Sequence, residues 1–236
     1  MKKFFHLIPP AASLIILFFC GCRKRDNIVY PNSSSYPIHK NITSTYFWIG
    51  VPADTTNAYV GNAQSSWDIN WQAHYGGYDD PIHRNGYYPV GFIPKENPFY
   101  FALPYDDYDE NGNRRQSAYN MIYWAKEKTW LPRESMCKNQ WIKIWKGEKI
   151  VYAQWEDSGP FFYDDSSYVF GISLPRNQFL NNSSGIDVSP AVRDYLGLAG
   201  LDTVSWQFVN PNDVPYGVWK FIVTISQVDW GQSKKY

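Results

Sequence analysis

Residues 152–161 read YAQWEDSGPF, and this stretch marks where a strand must end. An aromatic-rich, strand-like run closes on two adjacent acids, Glu156 and Asp157. Ser-Gly-Pro follows, and proline has no backbone N–H with which to continue a ladder of hydrogen bonds. The stretch therefore predicts a carboxylate held at the end of a strand by a rigid turn.

The residues directly upstream have the pattern of a hairpin. Residues 140–155 read QWIKIWKGEKIVYAQW, in which two runs rich in β-branched and aromatic residues flank Lys146-Gly147-Glu148. Such runs favour strands, and a short glycine-containing link between them is typical of a tight turn. We expect two paired strands here.

Similar runs separated by turn residues continue along the chain. The candidate strands cover residues 44–49, 99–103, 140–145, 149–155, 205–209 and 219–226. One helix is well marked, because Ser189 can cap its start, Pro190 suits its first position and Gly197 suits its end. Six strands and one short helix predict an all-β fold, a small barrel with a long loop elaboration between Gly50 and Pro98.

The N-terminus has the pattern of a secretory signal. A basic start precedes an apolar run over 11–19, which is too short to span a bilayer. Gly21 before Cys22 resembles a bacterial lipobox, so we expect residues 1–21 to be removed and Cys22 to carry lipid. A plain secretory signal without lipid is the alternative. Arg23, where aspartate would favour the inner membrane, points to the outer membrane or cell surface.

The rest of the chain divides into three parts. Residues 22–42 are polar, with proline and a serine run, and predict a flexible tether. Residues 43–228 hold the candidate barrel, and residues 229–236 form a C-terminal tail. Cys137 has no disulfide partner once the two N-terminal cysteines are set aside, so we expect it to be a buried, inert thiol.

Charge and composition narrow the function classes. The chain has 22 basic and 22 acidic residues, and its formal net charge of zero argues against nucleic acid as a partner. Aromatic residues make up 19% of the chain, with 11 Trp and 19 Tyr. We expect most of them in the core and some as platforms that stack on sugar rings.

A second stretch completes a composite motif. Residues 185–209 read GIDVSPAVRDYLGLAGLDTVSWQFV, so Ile-Asp-Val-Ser opens the helix, Leu-Gly ends it and a strand follows. Together with the acid-Ser-Gly-Pro-Phe turn, this order resembles double-psi β-barrel proteins of the rare lipoprotein A type over residues 140–226. Expansins, related fungal endoglucanases and membrane-bound lytic transglycosylase A share that barrel. The resemblance implies a six-stranded double-psi β-barrel.

The chain departs from the family pattern in three places. Ser158 stands where the family has arginine in its Asp-Arg-Gly-Pro turn, and residues 161–184 form a long insert. The family's Gly-Glu-x-Phe-Asp segment has its nearest match at Ser66-Trp67-Asp68. These departures bear on whether the chain has the transglycosylase activity found in the family, more than on whether it forms the family's barrel.

The resemblance implies that Asp187 is a general acid/base and that Asp157 supports it. Cleavage of a glycosidic bond requires a proton on the leaving oxygen and stabilisation of an oxocarbenium-like state. Lytic transglycosylation needs one acid/base, because the 6-hydroxyl of the sugar itself attacks the anomeric carbon. We therefore expect an envelope-anchored lipoprotein that cleaves peptidoglycan in this way. A two-carboxylate glycoside hydrolase, a non-catalytic expansin-like binding module and a structural domain are the alternatives.

Further residues are candidates for sugar binding because they lie on or beside strand ends. The aromatic candidates are Tyr46, Trp48, Trp155 and Tyr105, and the carboxylate candidates are Glu156 and Asp106. We expect some of the aromatics to prove part of the core. Asp187 could instead cap the helix with Ser189, and Asp157 could simply bind turn amides.

Two acidic segments partly match known metal-binding patterns. Residues 107–112, DYDENG, match the first half of a calcium loop, but Ala118 occupies the position of its bidentate glutamate. Residues 74–83, HYGGYDDPIH, match no common zinc spacing. We interpret both as polar turns and expect no metal or cofactor. The expected partners are peptidoglycan or another polysaccharide and, through the lipid, a membrane.

Overall fold

A computed structural model describes residues 32–54, 61–177 and 181–227. The predicted signal over 1–21, the lipidation site Cys22 and the tail over 229–236 lie outside the described residues. None of the helices in the described ranges has the length and apolar character needed to cross a membrane.

Within these ranges the chain forms eight strands and four short α-helices. The strands are β1 His39–Tyr46, β2 Arg84–Asn85, β3 Tyr88–Pro89, β4 Tyr100–Leu103, β5 Trp141–Lys146, β6 Lys149–Ser158, β7 Ile186–Val188 and β8 Asp202–Val209. The helices are α1 Trp71–Tyr75, α2 Ala118–Met121, α3 Ser166–Val169 and α4 Pro190–Leu196. Six strands close into a barrel in the order β1-β7-β4-β6-β5-β8, and β2 and β3 form a separate pair.

The barrel mixes strand directions. β1 pairs with β7, and β4 with β6, in parallel, whereas the other neighbours in the barrel are antiparallel. This closed six-stranded mixed barrel confirms the all-β prediction, and it is compatible with double-psi topology. Closure leaves the barrel with no unpaired edge strand.

The hairpin and the marked helix form where the sequence predicts them. Lys146 at the end of β5 pairs with Lys149 at the start of β6, and Gly147 between them has a φ of 56°. In α4 the Ser189 side chain accepts a hydrogen bond from Val192 N, and Gly197 ends the helix with a φ of 70°. α4 is the longest of the four helices, and the other three are single turns that the sequence pattern did not reveal.

Two strands differ from the prediction. β1 begins at His39, inside the segment assigned to the tether, because Tyr36 and Ile42 are buried in the core and bind this end of the chain to the barrel. The polar residues around Asn41, which has a φ of 54°, lie at an irregularity in the pairing with β8 and concealed the strand. β7 was not predicted as a strand, since only three residues form it.

The strand predicted over 219–226 is wrong, because this segment docks through side chains instead. Gln154 Oε1 accepts from Thr224 N, and Gln154 Nε2 donates to Thr224 O, both at 2.9 Å. Asn97 N donates to Thr224 Oγ1 at 2.9 Å. The Gln154 amide therefore replaces the pair of backbone hydrogen bonds that a neighbouring strand would supply.

Aromatic rings fill the barrel interior. The Trp155 ring stacks on Phe101 with centroids 6.0 Å apart and meets Trp67 edge-on at 5.7 Å. Cys137 is a free, buried cysteine, and burial raises the pKa of its thiol well above its usual value. Both findings confirm expectations from sequence, the aromatic core and the buried thiol.

The elaboration between Gly50 and Pro98 has its own structure and a buried polar anchor. Tyr100 on β4 donates its hydroxyl hydrogen to Asp79 Oδ2 at 2.8 Å and accepts from Ile49 N at 3.1 Å. Arg84 Nη1 donates to Asp79 Oδ1 at 2.7 Å. A small cluster of Ile49, Trp71, Tyr75 and Tyr100 surrounds this network. The elaboration is thereby fixed against the outside of the barrel.

Candidate functional site

Ala102 on β4 lies between the two predicted catalytic carboxylates. It pairs with Asp157 of β6 on one side and with Asp187 of β7 on the other. Ile186 and Val188 belong to the core, so Asp187 between them projects outward. Residues in direct register share a face of the sheet, and two strand spacings put the Cα atoms of the two acids about 10 Å apart. The barrel thus brings together two acids that are distant in the chain.

Asp187 is partly exposed and is held by hydroxyl groups. Thr45 Oγ1 donates to Asp187 Oδ1, and Ser184 Oγ lies 2.9 Å from Thr45 Oγ1. A Cβ at Gly159 would lie 3.9 Å from Asp187 Oδ2, so the turn after Asp157 passes close to this oxygen. Burial raises the pKa of Asp187 to about 6, although Thr45 and Ser184 act to lower it. A carboxyl with this pKa can exchange a proton near neutral pH.

The capping role considered for Asp187 falls to Ser189. Ser189 Oγ accepts from Val192 N and from Tyr100 N, both at 3.3 Å. The hydrogen bonds of Asp187 go to the hydroxyl of Thr45 on β1 rather than to amides of α4. Asp187 therefore does not cap α4, which is the structural role that the local sequence suggested for it.

Asp157 has a different setting, because main-chain amides hold it. Its Oδ1 accepts from Ser66 N and Ser158 N, both at 2.8 Å, and the hydroxyls of Ser66 and Ser158 bond to each other. The residue is only 9% exposed. Burial raises the pKa of Asp157 to about 7 despite these hydrogen bonds. The amides match the turn-binding alternative for Asp157 and suit a supporting role better than proton transfer.

Asp106 and Tyr163 lie beside the two acids. Asp106 is buried, its Oδ1 accepts from Trp67 Nε1 at 2.9 Å, and its N–H donates to Tyr163 O at 2.8 Å. Tyr163 is 38% exposed. Burial raises the pKa of its phenol, and the charges of Asp157, Asp106 and Asp187 raise it further. Tyr163 is a site residue that sequence reasoning missed, since its sole signal was its place in the long insert.

Glu156 is bound by a buried lysine rather than by the groups around the two acids. The pairing of β4 with β6 shifts by one residue between Phe101 and Ala102, so Glu156 is passed over and Asp157 takes the register position. Glu156 is 1% exposed, and its Oε2 lies 2.5 Å from Lys138 Nζ. Glu156 therefore pairs with Lys138 and has no register position beside Ala102, unlike the two acids.

The four aromatic candidates divide into two pairs. Trp155 and Tyr105 are buried in the core, as we expected for some of the four, and their rings are covered by protein. Tyr46 and Trp48 are partly exposed and stack on each other with centroids 5.5 Å apart. Tyr46 follows Thr45 on β1 but pairs with the core residue Val188, so its ring lies on the opposite face of the sheet from the two acids and is covered by Arg193.

Side chains in both acidic segments with partial metal-binding patterns are paired with other protein groups. Asp107 pairs with Arg114 at 2.7 Å, and His74 Nδ1 lies 2.6 Å from Asp68 Oδ2. Over the described ranges of the chain, no group of three or more His, Cys, Asp or Glu residues could hold a metal ion.

A scan against protein-family models finds no match to this chain, and a search of curated proteins finds no significant match either. The chemistry of the site therefore rests on its own geometry.

Proposed function

We propose that the protein cleaves a cell-wall glycan, peptidoglycan, with Asp187 as the general acid/base and Asp157 in support. One observation carries this proposal: Asp157 and Asp187 flank Ala102 and project from the same face of a closed barrel. Their raised pKa values, about 7 and about 6, keep a fraction of each group protonated near neutral pH. The composite motif shared with the rare lipoprotein A type supports the same reaction.

In the proposed reaction Asp187 donates its proton to the glycosidic oxygen as the bond from that oxygen to the anomeric carbon breaks. The 6-hydroxyl of the same sugar attacks the anomeric carbon and returns its proton to the Asp187 carboxylate. The product is a 1,6-anhydro end, and the acid is regenerated without a water molecule. Asp157 holds the Ser66 segment in place, and the partly exposed ring of Tyr163 beside the acids offers surface for the sugar.

Digestion of purified sacculi tests this proposal. We expect the wild-type protein to release anhydro-ended fragments and Asp187→Asn to lower that rate at least 100-fold, in line with loss of a general acid. Asp213→Asn is the matched control, because Asp213 is exposed and follows β8 at the opposite end of β1 from Thr45. Full activity of Asp187→Asn would overturn the assignment of the acid, and reducing ends would indicate a two-carboxylate hydrolase instead.

A non-catalytic glycan-binding module is the second candidate. The main-chain amides on Asp157 Oδ1 favour it, because they give that acid a purely structural task. In this case wild-type protein would pellet with sacculi and release nothing, and Trp48→Ala would weaken pelleting. If the wild-type protein neither released fragments nor pelleted with sacculi, the remaining interpretation would be a structural domain.

The envelope address is part of the proposal. A diacylated Cys22 would anchor the protein to the outer membrane or cell surface. Incorporation of labelled palmitate into the wild type, and its absence from Cys22→Ala, is the expected result. Incorporation that persists in Cys22→Ala would contradict lipidation at this residue.

A further inference from the structure

Phe161 lies in the turn that follows Asp157, and its backbone has a conformation that phenylalanine rarely adopts. Its φ is 62°, in the left-handed region, where a bulky side chain is crowded by its own backbone. Phe162 N donates to Pro160 O at 2.7 Å, so Phe161 is the central residue of a γ-turn. A γ-turn with a positive φ at its centre is the rare and strained form, and glycine or asparagine would make it at lower cost.

Backbone hydrogen bonds on both sides hold this turn against the end of β4. Gly159 N donates to Leu103 O at 2.9 Å before the turn, and Tyr163 O accepts from Asp106 N at 2.8 Å after it. Because both flanks are fixed, Phe161 between them has little room to relax. Backbone strain that the surrounding structure maintains in this way is concentrated at active sites and ligand-binding sites.

Both flanks of the turn also lie at the two acids. A Cβ at Gly159 would lie 3.9 Å from Asp187 Oδ2. On the other flank, burial raises the pKa of Tyr163, and the charges of Asp157 and Asp187 raise it further. Phe161 is two residues from each flank, so its Cα lies within about 7 Å of the Cα atoms of both Gly159 and Tyr163. The strained residue is therefore a neighbour of the candidate site.

The ring of Phe161 is open to a ligand. The residue is 51% exposed, and no aromatic ring within the described ranges of the chain packs on it. The next residue differs, because the guanidinium of Arg176 lies over the ring of Phe162, 4.7 Å from its centroid. A pyranose ring has a face of C–H groups, and a flat aromatic ring beside a glycan-cleaving acid fits against such a face.

We propose that Phe161 is a substrate-contacting residue of this site, with its ring against the C–H face of a sugar adjacent to the bond that Asp187 cleaves. This inference rests on the proposed function and adds a contact that the acids themselves do not provide. It also gives the strained turn a use, because the turn directs the ring toward the glycan. Strain of this kind costs stability and is retained where activity requires it.

Two substitutions that keep the turn test whether the flat ring is required. Phe161→Tyr keeps the ring, and Phe161→Leu keeps an apolar side chain without it. In fragment release from purified sacculi, Phe161→Leu should raise the half-saturating concentration of sacculi about 5-fold or more. Its maximal rate should stay within about 2-fold of the wild type, because the contact stabilises the bound substrate and the transition state alike. Phe161→Tyr should restore the half-saturating concentration.

A second pair of variants measures the strain and keeps the test valid if Phe161→Leu misfolds. Phe161→Gly and Phe161→Ala both lack the ring, but only glycine suits the positive φ. Phe161→Gly should therefore have the higher urea midpoint, although alanine stabilises a chain relative to glycine at ordinary positions. It should also show the loss of apparent affinity expected for Phe161→Leu. A higher midpoint for Phe161→Ala would overturn the strained turn on which the inference is built.

Pelleting with sacculi separates this inference from the proposed function. If the wild type releases fragments and Phe161→Leu has the same half-saturating concentration, the inference fails and the proposed function stands. If the wild type pellets but releases nothing, the proposed cleavage fails. Weaker pelleting of Phe161→Leu than of Phe161→Tyr would then still support the sugar contact, and equal pelleting would overturn it. Wild-type protein that neither cleaves nor pellets would overturn both.

Discussion

Asp157 and Asp187 are both raised in pKa, but the groups that bind them differ. A carboxylate that accepts from two amides is fixed in place, as Asp157 is by Ser66 N and Ser158 N. A partly exposed carboxylate bound by a hydroxyl, as Asp187 is by Thr45, can gain and lose a proton without breaking main-chain bonds. These contacts therefore favour proton exchange at Asp187 and a fixed position for Asp157.

Asp187→Asn should stabilise the folded protein at neutral pH. The pKa of Asp187 is raised to about 6 from 3.8, so the folded state binds more protons than the unfolded state between those pH values. Above pH 6 the ionised carboxylate costs free energy that asparagine does not, about 1–3 kcal/mol. Urea unfolding at pH 7.5 should show this gain, and it should disappear as the pH falls to 4.

Glu148→Gln serves as the control here, with no such gain expected, because Glu148 is exposed in the β5–β6 turn. A gain for Asp187→Asn that was equal at pH 4 and pH 7.5 would show that titration of Asp187 is not its cause.

The buried pair of Lys138 and Glu156 makes a second prediction. Lys138→Met removes the ammonium group that pairs with the buried carboxylate of Glu156 and should cost about 3–5 kcal/mol in urea unfolding. The double change Lys138→Met with Glu156→Gln should recover most of that loss, since no unpaired charge remains. If the double variant were as unstable as the single one, the loss would come from packing rather than charge.

Strands and helices were predictable where their signals are local. Ser189 and Gly197 lie at the ends of their own helix, and Gly147 lies in its own hairpin turn. β7 is three residues long and becomes a strand only through neighbours from distant parts of the chain. The β-favouring run over 219–226 failed as a strand because the Gln154 side chain took the backbone hydrogen bonds.

The start of α4 can be tested directly. Ser189→Ala should destabilise the protein by about 1–2 kcal/mol, because Ser189 Oγ accepts from amides of both α4 and β4. Thermal unfolding measures this loss. Ser173→Ala, at an exposed position, should stay within about 0.5 kcal/mol of the wild type. Equal effects of the two changes would contradict the capping role.

The candidate site is a property of the closed barrel as a whole. The family resemblance pointed to Asp157 and Asp187 as site residues. That both lie next to Ala102 is known only from the structure, in which β4 lies between β6 and β7. Composition could not separate Tyr46, which is partly exposed, from the buried Trp155, because ring type carries no information about which face of the sheet a residue occupies.

The elaboration and the barrel should unfold as one unit through Tyr100. Tyr100→Phe keeps the ring but removes the donor to Asp79 and the acceptor for Ile49 N, at a cost of about 1–3 kcal/mol. In the Tyr100→Phe variant, amide hydrogen exchange should become faster in α1 than in the wild type, and the increase should be larger than in β5. Tyr216→Phe, at a largely exposed position, is the matched control. Unchanged exchange in α1 would contradict the anchoring role of the Tyr100 hydroxyl.

The direction of β1 governs how the molecule can face its surroundings. The polypeptide enters the barrel at His39, and Thr45 lies near the far end of the same strand, about 20 Å away. An attachment upstream of His39 would therefore hold the end of the barrel opposite the one where Asp187 pairs with Thr45. If Cys22 carries lipid, as proposed above, the two acids would lie on the part of the barrel remote from that attachment, nearer to material beyond the membrane.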